Sequence, residues 1–112
     1  MNIKTVAPDF SVSPQIFTGD IEALKAKGFR AIICNRPDHE DQGQPDFADI
    51  AAAAAAAGLA ARHIPVRPDA ISPADVAAFG CAIDELPGPV LAYCRSGGRS
   101  SSALWSKART GG

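Results

Sequence analysis

Cys94, Arg99 and Ser100 have the types and the spacing for nucleophilic chemistry on an anion. Cys94 follows the apolar run Val90 to Tyr93, which is bounded upstream by the turn former Pro87-Gly88-Pro89. Ser96, Gly97 and Gly98 come next, and a helix-compatible segment containing Leu104 and Trp105 follows. A strand, a glycine loop and a helix in that order aim a row of backbone N–H groups at one point above the helix N-terminus. The helix dipole also favours an anion there. Arg95 and Arg99 add positive charge beside the thiol. Each of these features favours thiolate over thiol, and the thiolate is the nucleophile. A lone cysteine at a strand end is more often a small buried hydrophobe, and Gly-Gly is more often only a turn. That plainer account explains neither the glycine pair beside Cys94 nor the arginine that opens a helix ahead of three serines.

The segment Cys94-Arg95-Ser96-Gly97-Gly98-Arg99 resembles the active loop of rhodanese-like sulfurtransferases. It is also similar to the loop of cysteine-dependent tyrosine and dual-specificity phosphatases, which is one residue longer. Over nearly the whole chain a third resemblance is closer. Phe10-Ser11-Val12-Ser13-Pro14-Gln15, Ile33-Cys34-Asn35-Arg36-Pro37-Asp38 and the Cys94 loop, in this order, resemble the phosphatase-like domain at the front of beta-lactamase-hydrolase-like proteins. This resemblance implies an α/β fold of the protein-tyrosine-phosphatase-like type, with a mainly parallel central sheet flanked by helices. A rhodanese-like strand order is the alternative. Ser100 matches the Ser/Thr that in the phosphatases hydrogen-bonds the cysteine sulfur. Asp69 stands about where those phosphatases carry an aspartic general acid. That match is one of position alone, and an exposed turn residue accounts for Asp69 equally well.

Two reactions are then expected of one loop. In both, the Cys94 thiolate attacks an anionic group held by the loop N–H groups, including those of Ser96, Gly97 and Gly98, and by the Arg99 guanidinium, whose planar fork grips two oxygens. Attack on sulfane sulfur from thiosulfate or a persulfide gives a Cys94 persulfide, which is passed to a thiol acceptor. Attack on a phosphate ester gives a phosphocysteine that water hydrolyses. Four residues separate Cys94 from Arg99, where the phosphatases have five. One residue spans at most about 3.3–3.6 Å, a large step on the scale of an anion. The shorter arc favours sulfur transfer as the main expectation, with phosphate-ester hydrolysis as the alternative. A catalytically idle anion-binding or regulatory module is the second alternative. Neither reaction calls for a cofactor.

The elements that must position these residues can be read in order. Residues 1–9 form an irregular or extended lead-in, and Phe10 to Ile16 a short strand. Thr18 or Asp20 caps a helix with Ile21 and Leu24 on its apolar face, ended by Gly28. Phe29 to Cys34 is a strand buried on both faces. The polar loop 35–45 leaves its carboxyl end, where open α/β sheets bind ligands, so Arg36 is placed to reach the same anion as the Cys94 loop if the two strands run parallel; a solvated surface arginine is the equal alternative. His39 among acidic residues lacks a second histidine at ligand spacing, and no metal site is expected. The alanine-rich Phe47 to Ala57 is a helix closed by Gly58. Leu59 to Val66 is a strand whose Pro65 suits an edge or an end, with His63 expected as a structural histidine. Ser72 caps a helix with Pro73 at its first position and Asp75 at its third; Val76, Phe79, Ile83 and Leu86 form its apolar face, and Cys81 is expected to pack. A last helix runs from about Ser100 to Lys107, and Arg95 is expected to point outward and select substrates.

Length and composition bound the rest. A chain of 112 residues has room for one domain, 1–112. Its 46% hydrophobic and 21% charged residues are ordinary for a globular domain. A net charge of −1 supplies no field for nucleic acid or an anionic membrane, and no apolar run is long enough to span a bilayer. Three cysteines without a close pair argue for a reducing compartment, with the cytoplasm as the default. The expected partners are therefore a small anionic substrate (thiosulfate, persulfide or phosphate ester) and a thiol acceptor.

Overall fold

A five-stranded sheet in the order β1-β2-β5-β3-β4 forms the centre of the computed structural model, which describes residues 2–67, 69–95 and 99–109, with Arg99 described by its backbone alone. The strands are β1 (Lys4–Ala7), β2 (Phe10–Ser13), β3 (Ala31–Cys34), β4 (Ala60–His63) and β5 (Val90–Tyr93). Four of them are parallel, and β1 alone runs antiparallel, against β2. The helices are α1 (Ile21–Ala26, after a single 3₁₀ turn), α2 (Phe47–Ala57), α3 (Pro73–Glu85) and α4 (Arg99–Arg109).

The core divides by the period of the strands. Side chains alternate across a strand, so Ile32, Cys34, Leu91 and Tyr93 share one face of the sheet. There they meet Ile21 and Leu24 of α1 and Ile50, Ala54 and Ala57 of α2. Phe10, Val12, Ala31, Ile33, Val90 and Ala92 share the other face with Phe79 and Ala82 of α3 and Leu104 of α4. Phe10 stacks on Trp105 at 4.3 Å between centroids and meets Phe79 edge-on at 5.8 Å, which ties both helices of that layer to β2. The result is a three-layer α/β/α arrangement.

The local stops and starts act as their residue types require. Gly58 closes α2 at φ 84°, a left-handed conformation that suits glycine, and the Leu59 N–H returns to the Ala54 carbonyl at 2.8 Å. The Ser72 hydroxyl accepts from the Asp75 N–H at 3.1 Å, while the Asp75 carboxylate accepts from the Ser72 N–H at 3.0 Å. This reciprocal pair opens α3. β4 lies at the sheet edge, as Pro65 suggests.

Two expectations are corrected. The lead-in is a strand: β1 pairs with β2 through Lys4–Val12, Thr5–Ser11 and Ala7–Phe10. Its first three residues are exposed, so it carries no apolar pattern from which a strand could be read. Cys81 does not pack in the core but lies exposed on α3. There it helps line an apolar groove of about 610 Å³ between α3 and α4, with Ile71, Val76 and Ala108. Among the described residues no helix is long and apolar enough to cross a membrane.

Candidate active site

The chain passes from β2 to β3 on opposite sides of β5, so the sheet's topological switch lies at the central strand. Open α/β sheets bind ligands beyond the carboxyl ends of such strands. The parallel register sets Ser13, Tyr93, Cys34 and His63 side by side in one row across that rim. Cys94 is the next residue, and its N–H donates to the Ser13 carbonyl at 3.3 Å. It is buried, 3% exposed. Arg99 begins α4 directly beyond the loop. Ser96, Gly97, Gly98 and the Arg99 side chain lie outside the described residues. Ser100 is buried in the first turn of α4.

That turn is anchored by a residue that sequence reading passed over. Asn35, 1% exposed, follows β3; its N–H donates to the Tyr93 carbonyl at 2.9 Å. Its Nδ2 donates to the Ile64 carbonyl at 3.0 Å, and its Oδ1 accepts from the fully buried Ser101 hydroxyl at 2.8 Å. Through its backbone N–H and its side-chain amide, Asn35 therefore joins the ends of β3, β4 and β5 to the helix that carries Arg99 and Ser100. A buried asparagine is itself a signal, because a buried polar side chain is kept only with partners.

Arg36 is buried at the same rim, and its guanidinium is taken up by the protein. Nε donates to Glu40 at 2.7 Å, Nη1 to Gln15 at 2.8 Å and Nη2 to Asp41 at 2.5 Å. The expectation that Arg36 reaches the substrate is revised accordingly: its charge is balanced by Glu40 and Asp41. Asp41 Oδ2 also receives Arg95 Nε at 3.1 Å, so the loop after β3 and the start of the Cys94 loop are joined. Arg95 is largely exposed, consistent with an outward-pointing side chain.

The remaining candidates are simply placed. Asp69 is exposed in the turn between β4 and α3. His63 is structural: Nε2 lies 2.8 Å from the Arg36 carbonyl, and the ring stacks on Phe47 at 4.7 Å. Asp38 accepts from the Phe47 N–H at 2.8 Å and so satisfies a donor at the start of α2. Among the described residues no group of three or more His, Cys, Asp or Glu side chains could hold a metal ion. Burial pushes the Cys34 thiol up from its ordinary value, against the opposing hydrogen bonds from Tyr93 and to the Arg36 carbonyl. Cys34 is thus a protonated core thiol.

Comparison with known proteins agrees with this geometry. Residues 2–112 match the family described as beta-lactamase hydrolase-like protein, phosphatase-like domain. A beta-lactamase hydrolase-like protein of Agrobacterium fabrum is 40% identical over 90 residues, which cover 80% of this chain and 21% of that protein. The chain thus spans about a fifth of the length of this curated relative. A Neisseria meningitidis protein solved as a candidate phosphatase superposes with a TM-score of 0.85 at 40% identity, covering 94% of this chain and 74% of that one. The core catalytic domain of the PP-IP phosphatase SIW14 from S. cerevisiae, solved with citrate, shares the fold at a TM-score of 0.70 and 13% identity, over 98% of this chain and 65% of that one. With Cys94 directly beyond the central strand of a phosphatase-like sheet, this chain belongs to the phosphatase-like domain family of beta-lactamase hydrolase-like proteins.

Proposed function

We propose that the domain hydrolyses phosphate monoesters of small anionic molecules through Cys94. The observation that carries this reading is the position of the thiol, buried beyond the central strand with its N–H on the Ser13 carbonyl and α4 beginning directly past its loop. The similarity to phosphatase-like proteins supports phosphate over sulfur. The Cys94 thiolate attacks phosphorus, an S–P bond forms and the ester P–O bond breaks. The leaving oxygen takes a proton, with Asp69 as the candidate acid. Water then attacks the phosphocysteine, the S–P bond breaks, and inorganic phosphate leaves with the thiolate restored. Arg99 and the loop N–H groups hold the equatorial oxygens, and Ser100 stabilises the sulfur as it departs. This route requires neither metal nor organic cofactor.

One observation favours a second reading, rhodanese-like sulfur transfer. Only four residues lie between Cys94 and Arg99, and Asp69 lies exposed in its turn. A persulfide needs fewer N–H contacts than a tetrahedral phosphate, and a sulfite leaving group needs no acid. One experiment separates the two. The protein is mixed with p-nitrophenyl phosphate or with thiosulfate, quenched in acid, and Cys94 is weighed by mass spectrometry. A phosphoryl adduct with phosphate release supports the main reading. A single added sulfur, passed on to cyanide or a thiol, with no phosphoryl adduct, replaces it with the second. Neither adduct leaves an anion-binding module.

A further inference from the structure

We infer that Asp41 is a positioning residue for Arg95, and that the pair fits the site to substrates carrying a second anionic group beside the one held at Cys94. The inference rests on the proposed anion site at Cys94 but not on whether phosphorus or sulfur is attacked there. Arg95 directly follows the nucleophile, and its Nε is bound by Asp41 Oδ2 at 3.1 Å. That ion pair engages Nε, and the Nη1 and Nη2 end of the fork, which grips oxyanions in pairs, takes no part in it. Asp41 is itself held. Its Oδ2 also accepts from Arg36 Nη2 at 2.5 Å, and Arg36 is 5% exposed and fixed by Glu40 and Gln15. The Asp41 N–H donates to Gln44 Oε1 at 3.2 Å, and Gln44 Nε2 donates to the Pro37 carbonyl at 2.8 Å. An exposed ion pair alone contributes little to stability. This one extends a buried, hydrogen-bonded arginine to the surface, and the gain is reduced freedom for Arg95 rather than folding energy.

Arg36 and Arg95 together balance Glu40 and Asp41, so the cluster is neutral and Asp41 is assigned to orienting the Arg95 fork rather than to supplying or removing net charge. Were Asp41 instead a mask over Arg95, its removal would strengthen anion binding.

The probes are inorganic phosphate and pyrophosphate, which differ in a second linked phosphate, and the readout is protection of Cys94 from iodoacetamide. Pyrophosphate should protect the unaltered protein at a concentration at least about tenfold below that of phosphate. In Arg95→Ala the advantage should fall to about twofold, and in Asp41→Asn to about threefold. Because Asp41 acts through Arg95, adding Asp41→Asn to Arg95→Ala should change the ratio no further. Arg95→Lys keeps the charge but not the fork, and should recover only part of the advantage. Greater pyrophosphate protection in Asp41→Asn, an unchanged ratio, or additive losses in the double variant would each overturn the assignment. Absence of p-nitrophenyl phosphate turnover with these ratios intact would overturn the phosphatase reading alone.

Discussion

Replacing Asn35 by leucine tests the anchor between the sheet and α4 with little change of volume. The substitution removes a donor from the Ile64 carbonyl and an acceptor from the buried Ser101 hydroxyl. A buried polar group left unpaired costs about 1–3 kcal/mol, so the two together cost about 2–6 kcal/mol. Against a total stability of about 5–15 kcal/mol this is a large fraction. With a urea slope of about 1–3 kcal/mol per molar, the unfolding midpoint should fall by about 1 M or more at an unchanged slope. Adding Ser101→Ala should then raise stability, because removing both partners is far less costly than removing one. About 1–2 kcal/mol should return, although the double variant has lost more of the native contacts. Urea titration followed by tryptophan fluorescence reads this directly, since Trp105 lies on α4. A double variant less stable than Asn35→Leu alone, or a single variant within about 0.5 kcal/mol of the parent, would refute the role given to Asn35.

Further outcomes follow from the same contacts. Cys94→Ser should abolish both turnover and any trapped adduct, whereas Cys34→Ser and Cys81→Ser should keep the adduct at Cys94. Mass spectrometry of the quenched protein decides. Stability should fall as pH rises above about 8.5, the ordinary thiol value. There the native chain keeps the Cys34 proton that the unfolded chain releases, so the native state binds more protons and loses stability with pH. Tyr93, also pushed up by burial, should extend the loss above about pH 10. Urea midpoints measured from pH 7 to 10.5 should show the decline, and Cys34→Ala should flatten its first part; a rising profile would contradict the burial account. Ser72→Ala removes the hydroxyl that opens α3 and should cost about 1 kcal/mol with activity retained, as unfolding and rate measurements would show together.

The parts of the fold legible in the sequence were those set by nearby residues. Gly58 and the Ser72-Pro73-Ala74-Asp75 run mark helix ends within a few positions, and α2 ends and α3 begins where those signals stand. The apolar Ile32-Ile33-Cys34 and Val90 to Tyr93 show burial on both faces, hence a parallel sheet. β1 was hidden because its pairing with β2, not its own residues, makes it a strand. In the site, Cys94 and the start of α4 were legible from the loop pattern. Partners distant in sequence were not. The Ser101–Asn35 bond spans 66 positions, and the Arg36–Gln15 bond spans 21. Glu40 and Asp41 were near enough to Arg36 to be read as its partners, four and five residues on. The loop instead invited a choice between Arg36 as a substrate contact and Arg36 as a solvated surface residue.

The place of β5 between β2 and β3 also bears on how the domain comes apart. Both sides of the strand that leads to Cys94 are occupied by parallel neighbours, while among the described residues β1 and β4 each have one free side. Amide protons on β5 should therefore exchange with solvent only through opening of the whole domain, and those of β1 through fraying. A chain that has shed its antiparallel border still has Cys94 seated between Ser13 and Asn35. Mild heating or proteolysis near the N-terminus should thus trim the molecule before it silences it, and loss of activity should report on global collapse.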